Sequence, residues 1–249
     1  MTTNYDADQV AQQYKKAKEQ SWRSRVEEYS LMKRLGDLRG KRVVDAACGE
    51  GFFTRRLRQA GAAQVLGFDV SERMIELARA EEARRPLGIE YRVHDGRAEP
   101  PPHDFDLAVS AWLLVYARDR AELACMCRGL ASWLRPGGRS MNVITNPSLY
   151  AFDPKPDYRK YGFSIELADR CYEGAPIRLT FHLDGGQLTI ENYYLPLAAY
   201  ESAFRDAGFR DFQMHPFELA PNPDADDDRL YWADFFANPT GILIEAVKA

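Results

Sequence analysis

The chain has 249 residues, and 33 basic against 37 acidic side chains leave a formal charge of −4. Hydrophobic residues at 45% and charged residues at 28% are globular averages, which exclude disorder, a collagen-like repeat and a disulfide scaffold. The slightly acidic balance argues against a dedicated nucleic-acid binder, which carries a basic stripe.

Residues 6 to 35 read as two helical stretches, with Asp6 placed to cap the first and Ser21 the second. Trp22, Val26, Tyr29 and Met32 recur at helical spacing before Gly36. From Lys41 the rhythm changes to short β-branched runs alternating with amphipathic helices. The strands are Arg42 to Ala46, Gln64 to Phe68, Ile89 to His94, Phe105 to Ala111 and Arg139 to Thr145, and the helices Phe52 to Ala60, Ser71 to Arg84 and Arg118 to Leu134. Strands separated by helices of this length are parallel crossovers, so the fold class is α/β, a doubly wound, mostly parallel sheet. Asn146-Pro147 and Asp153-Pro154-Lys155-Pro156 then break the pattern. Pro176 to Leu183 and Gln187 to Leu195, alternating around Asp184-Gly185-Gly186, read as an antiparallel hairpin. A helix from Pro196 to Ala207, a strand from Phe212 to Phe217, an acidic loop (Asp224, Asp226, Asp227, Asp228) and a strand from Ile242 to Val247 complete the chain. The organisation expected is a single domain over 1–249, with an N-terminal helical cover at 1–36 and an inserted substrate lid at 147–195.

The longest apolar run, Leu107 to Ala117, is interrupted by Ser110 and too short to span a bilayer, and the N-terminus has no basic-then-apolar signal. A cytoplasmic protein with no membrane partner is expected. Cys48, Cys125, Cys127 and Cys171 lack metal-ligand spacing and are expected as reduced thiols in or near the core. No His-x-x-x-His or paired-cysteine motif points to a metal.

Chemistry concentrates in Val43-Val44-Asp45-Ala46-Ala47-Cys48-Gly49-Glu50-Gly51, a strand running through small residues into a helix. Small residues let a ligand approach the backbone, and the helix N-terminus offers free N–H groups. Asp69 ends the second strand, where a carboxylate can accept both hydroxyls of a ribose. Asp95 ends the third, and Pro136-Gly137-Gly138 precedes the fifth. The ordered set D-A-A-C-G-E-G, G-F-D-V-S-E-R-M, H-D-G and R-P-G-G resembles the motifs of class I S-adenosylmethionine-dependent methyltransferases, over about 200 residues. That resemblance implies a seven-stranded Rossmann-like sheet and S-adenosyl-L-methionine as cofactor, with S-adenosyl-L-homocysteine as product. It implies that Ala47, Gly49 and Gly51 lie against the methionyl part, Asp69 holds the ribose, and Val70 and Met74 line the adenine pocket. Asp95 and Gly96 would meet the adenine edge, and Ser110 would lie beside the sulfonium. A nicotinamide-dependent oxidoreductase is the rival reading, but its third glycine is replaced here by Thr54.

The N-terminal Tyr5-Asp6, Tyr14-Lys15, Lys18, Trp22-Arg23, Glu27 and Tyr29, the hairpin end Asn192-Tyr193-Tyr194-Leu195-Pro196 and Tyr231-Trp232-Ala233-Asp234-Phe235 resemble the toxoflavin-type bacterial methyltransferases. That resemblance implies N-methylation of a small planar azapteridine; O- or C-methylation of another aromatic metabolite is the alternative. Aromatic side chains suit a flat acceptor. Trp22, Trp112, Tyr116, Tyr150, Phe152, Tyr194 and Trp232, with His182 from the hairpin, are the candidates to bind it, although each ring can equally build a local core. Tyr14 and Arg23 are candidates for the methionyl carboxylate, while Arg23 and the nearby Lys15, Lys16 and Lys18 also read as a solvated helix face. A sulfonium donor is already activated, so alignment and exclusion of water suffice, with no base nominated. The partner expected is a small heteroaromatic substrate, with no nucleic acid, and the chain either a monomer or a homodimer.

Overall fold

The computed structural model describes residues 4–100, 103–222 and 228–249. The acidic loop read at Asp224, Asp226 and Asp227 lies outside them. The first elements are a helix α1 (Asp8–Ala17), a π-helical turn (Arg23–Glu28) and α2 (Tyr29–Leu35). Next come β1 (Arg42–Ala46), α3 (Phe52–Gln59), β2 (Gln64–Asp69), α4 (Glu72–Arg84), β3 (Glu90–Val93), β4 (Phe105–Ala111), α5 (Arg120–Trp133) and β5 (Leu134–Thr145). The chain then forms β6 (Phe163–Leu167), β7 (Pro176–Leu183), β8 (Gly186–Tyr193), α6 (Leu197–Asp206), β9 (Phe209–Pro216), α7 (Asp228–Ala237) and β10 (Gly241–Lys248).

Among the described residues the main sheet has seven strands in the order β3-β2-β1-β4-β5-β10-β9. Its first five strands are parallel, and β10 runs antiparallel between β5 and β9. Central strands are covered on both faces, which is why β4 reads as a nearly continuous apolar run. The chain leaves β1 toward one edge of the sheet and β4 toward the other. A crevice therefore opens outside the carboxyl ends of these two strands.

The expected hairpin is present, joined by β6 into a separate three-stranded antiparallel sheet. Ile177, Leu179 and Phe181 of β7 and Leu188, Ile190 and Asn192 of β8 are buried on its inner face. The strand β6 was not anticipated, because five residues flanked by loop signals carry too little alternation to separate them from loop.

Two capping expectations fail. Ala7 occupies the cap position of α1, and Asp6 instead accepts a hydrogen bond from Ser71 Oγ at 2.7 Å. Ser21 caps nothing: Trp22 precedes the π-helical turn, and the Ser21 carbonyl accepts from Ser24 Oγ. All four cysteines are free, but only Cys48 and Cys127 are buried, and Cys171 is exposed. No helix of the described residues is long and apolar enough to cross a membrane.

Candidate active site

The crevice is built from backbone geometry first. After β1, Ala47 and Gly49 take φ values of 58° and 56°, the left-handed region, which turns the loop sharply and exposes its peptide groups. The Gly49 N–H donates to Asp69 Oδ2 at 2.9 Å, and the Ser71 N–H to Asp69 Oδ1 at 2.9 Å. The carboxylate at the end of β2 thereby joins the two loops that frame the cleft. Burial raises the Asp69 pKa above the ordinary carboxylate range, and the Ser71 and Gly49 N–H groups oppose that rise. Ser71 caps α4 by accepting from the Met74 N–H at 3.1 Å. This cap fixes Met74 under the cleft, while Val70 stands 61% exposed at its mouth.

The resulting cleft has a volume of about 250 Å³. Ala47, Gly49, Asp69, Val70, Met74, Asp95, Gly96, Trp112, Tyr116 and Tyr14 line it, so most residues singled out from sequence converge. Asp95 sits at the rim, its carboxyl held below the usual range by the Arg97 guanidinium at 2.7 Å. A side chain added at Gly49 would project into the cleft, its Cβ 3.8 Å from the Tyr14 ring. A half-buried acceptor carboxylate, an open glycine backbone and an exposed valine together fit the ribose, amino-acid and adenine parts of an adenosyl cofactor.

The aromatic wall is strained and braced. Trp112, directly after β4, has φ 76°, where a bulky side chain is a rare outlier costing on the order of 1–3 kcal/mol. Its backbone N–H donates to the Val143 carbonyl at 3.0 Å and its indole Nε1–H to Glu27 Oε2 at 3.0 Å. Tyr116 and Tyr5 share a hydrogen bond of 2.5 Å between hydroxyls, and Tyr5 packs edge-on against Tyr14. Burial pushes the pKa of both phenols in this pair upward, so they stay protonated near neutrality.

A narrow extension continues past Gly49 and Ala111 to Lys18, Asp45, Phe52 and Phe53. Burial pushes the Asp45 pKa up to about 7, against the hydrogen bond from Thr54 Oγ1 and the nearby Lys18 charge. Thr54, which departs from the nicotinamide fingerprint, is thus fully buried and committed to Asp45.

Several predicted residues lie elsewhere. Arg23 is buried against Glu27 behind the wall and does not line the cleft. Gly51 faces Tyr91, whose hydroxyl would clash with an added Cβ, so its demand is packing. Ser110 is fully buried and donates to Asn142 Oδ1 at 2.8 Å. Trp22 packs on Phe163 and Phe235, and Trp232 stacks on Tyr161 at 5.0 Å. Tyr150 and Tyr194 meet edge-on at 5.1 Å, and Phe152 is half-buried against the core. His182 contacts Ser164 Oγ and Gln187 Nε2 within the small sheet.

Conversely, the cleft recruits Tyr5, Arg97, Arg118 and Glu122, which sequence reasoning did not select. Lys18 was grouped with the solvated lysines, yet it is only 8% exposed while Lys15 and Lys16 face solvent. Its i,i+4 spacing from Tyr14 was the available signal.

Residues 43–138 match a family described as a methyltransferase domain. The chain is 34% identical over 154 residues to a ubiquinone biosynthesis O-methyltransferase of Neisseria meningitidis serogroup C (strain 053442), covering 54% of this chain and 63% of that protein. It thus spans less than two thirds of the length of that relative. It is 26% identical over 193 residues to the N-demethylindolmycin N-methyltransferase of Streptomyces griseus, 74% of each chain. The crystal structure of an S-adenosylmethionine-dependent methyltransferase from Mesorhizobium loti superposes with a TM-score of 0.62 at 26% identity, over 89% of this chain and 97% of the other. Residues 43–138 thus carry a methyltransferase domain, on a fold shared with an S-adenosylmethionine-dependent methyltransferase.

Proposed function

We propose that the chain methylates a nitrogen of a small planar heterocycle, an azapteridine of the toxoflavin type, within the cleft walled by Trp112 and Tyr116. The observation that carries this reading is the wall itself. Trp112 is held at a strained backbone angle with its indole N–H anchored, and Tyr116 is fixed by Tyr5, so flat apolar faces border the cavity. Offset stacking on such faces orients a flat ring without requiring charge. The relationship to a Streptomyces griseus protein named as an N-methyltransferase, over 74% of both chains, supports a nitrogen acceptor.

When bound, S-adenosylmethionine supplies an electrophilic methyl group on a sulfonium. Asp69 accepts the ribose hydroxyls, Val70 and Met74 flank the adenine, Asp95 and Gly96 border its edge, and Ala47 and Gly49 admit the methionyl chain. Trp112 and Tyr116 orient the acceptor, and Tyr5 closes over it to exclude water, so rate comes from alignment and desolvation. Tyr5 and Tyr116 keep their protons and act as positioning donors, not bases. In this reading residues 1–36 are the cover, residues 147–195 the substrate lid, and the chain works in the cytoplasm as a monomer or homodimer without nucleic acid.

O-methylation of a small phenol is the second reading, favoured by the 34% identity to a ubiquinone biosynthesis O-methyltransferase. Incubation with S-adenosylmethionine and parallel panels of azapteridines and catechols, followed by mass and NMR analysis of the products, separates the two. A singly N-methylated azapteridine is expected. Methyl transfer confined to catechol oxygens would overturn the nitrogen assignment.

A further inference from the structure

One cluster behind the cleft is unusual in composition and in satisfaction. Lys18, Arg23 and Glu27 are 8%, 2% and 0% exposed. Taking such groups out of water is costly unless pairing is complete. Here pairing is incomplete. Glu27 Oε2 accepts from Arg23 and from the Trp112 indole, whereas Glu27 Oε1 and Arg23 Nε have no hydrogen-bond partner. Lys18 Nζ stands 4.0 Å from Glu27 Oε1, too far for a hydrogen bond, and lies over the rings of Tyr14, Phe52 and Phe53. The carboxylate and Arg23 belong to the π-helical turn Arg23–Glu28, a geometry that recurs at functional sites.

The two oxygens of Glu27 therefore face residues that line two different parts of the cleft. Oε1 looks toward Lys18, which lines the narrow extension beyond Gly49, and Oε2 holds Trp112, which lines the main chamber. We infer that Glu27 is a positioning residue that couples a ligand carboxylate in the narrow extension to the Trp112 wall. A carboxylate arriving there takes the Lys18 ammonium in a charge-assisted hydrogen bond. The Lys18 field at Glu27 is then neutralised, and Glu27 becomes a stronger acceptor for the indole N–H. The acceptor wall tightens only when a ligand with an amino-acid end is aboard. This rests on the cofactor lying in the cleft with its amino-acid end toward Lys18, and does not depend on the identity of the methyl acceptor.

Two ligands that differ only at that end test the coupling: S-adenosylhomocysteine, and 5′-methylthioadenosine, which lacks the amino and carboxylate groups. The readout is the Trp112 Nε1–H resonance in 15N-labelled protein, assigned with Trp112→Phe among four tryptophans. S-adenosylhomocysteine should move it downfield further than methylthioadenosine does. Lys18→Met should weaken S-adenosylhomocysteine by about tenfold or more and methylthioadenosine by less than about twofold, and should abolish the difference in shift. Glu27→Gln, which keeps an oxygen for the indole, should also abolish that difference. Equal shifts for both ligands in the unmodified protein, a difference that persists in either variant, or an equal loss of both affinities in Lys18→Met would overturn the coupling alone. A protein that binds neither ligand would overturn the cofactor placement and the coupling with it.

Discussion

Two groups of aromatic side chains solve different problems in this molecule. Between the small sheet and α7, Tyr158 stacks on Phe163 at 5.2 Å and Tyr161 on Trp232 at 5.0 Å, with Phe235 edge-on to both tyrosines. Their polar ends are also consumed, since the hydroxyls of Tyr158 and Tyr161 donate to the carbonyls of Asn238 and Tyr231. In the cleft, Tyr5 meets Tyr14 and Tyr116 edge-on, Trp112 is held by its indole N–H on Glu27, and these rings leave surface toward open volume. Rings that satisfy one another's faces build a core. Rings pinned by their edges beside a cavity are left with capacity for a ligand.

Substitutions can break or sharpen that contrast. The largest effect is expected at Trp232, where truncation to alanine removes a buried, stacked ring and should cost about 3–5 kcal/mol of stability. Denaturant unfolding measures that loss, while calorimetry should find S-adenosylhomocysteine affinity of the folded protein nearly unchanged. A parallel collapse of affinity would show that the packed group and the cleft are one unit. Next in size is Asp69→Ala, which deletes the carboxylate proposed to hold the ribose and frees the Gly49 and Ser71 N–H groups. Affinity for S-adenosylhomocysteine should fall by about 2 kcal/mol, roughly 30-fold. An unaltered dissociation constant would remove Asp69 from the site. The smallest is Tyr5→Phe, which loses the hydroxyl contact to Tyr116 and should lower the stability of the unliganded protein by about 1 kcal/mol in denaturant unfolding. Tyr116→Phe should match it and the double substitution should be no worse, because one shared bond is lost in all three.

The alternation of strands and helices from Arg42 to Thr145 was legible because local periodicity reports which face of each element is covered. The loop after β1 was legible because short ligand-facing turns need small residues at fixed offsets from a strand end. Gly51 shows the limit of that logic: the motif places it beside the ligand, while the close approach of Tyr91 explains it by packing. Ser110 shows the same limit, its hydroxyl taken by Asn142 from the neighbouring strand.

By itself, the order of the residues determined the doubly wound sheet, the crevice at the ends of β1 and β4, and the carboxylate of Asp69 within it. All of these follow from hydrophobic period and from the backbone freedom of small residues. Only the tertiary structure decided which aromatic rings border the cavity, and that Lys18 is buried while its neighbours are solvated. Only it paired Glu27 with Trp112, 85 residues away. A side chain's period along its own helix or strand tells that it will be covered; what covers it is settled by elements distant in the chain.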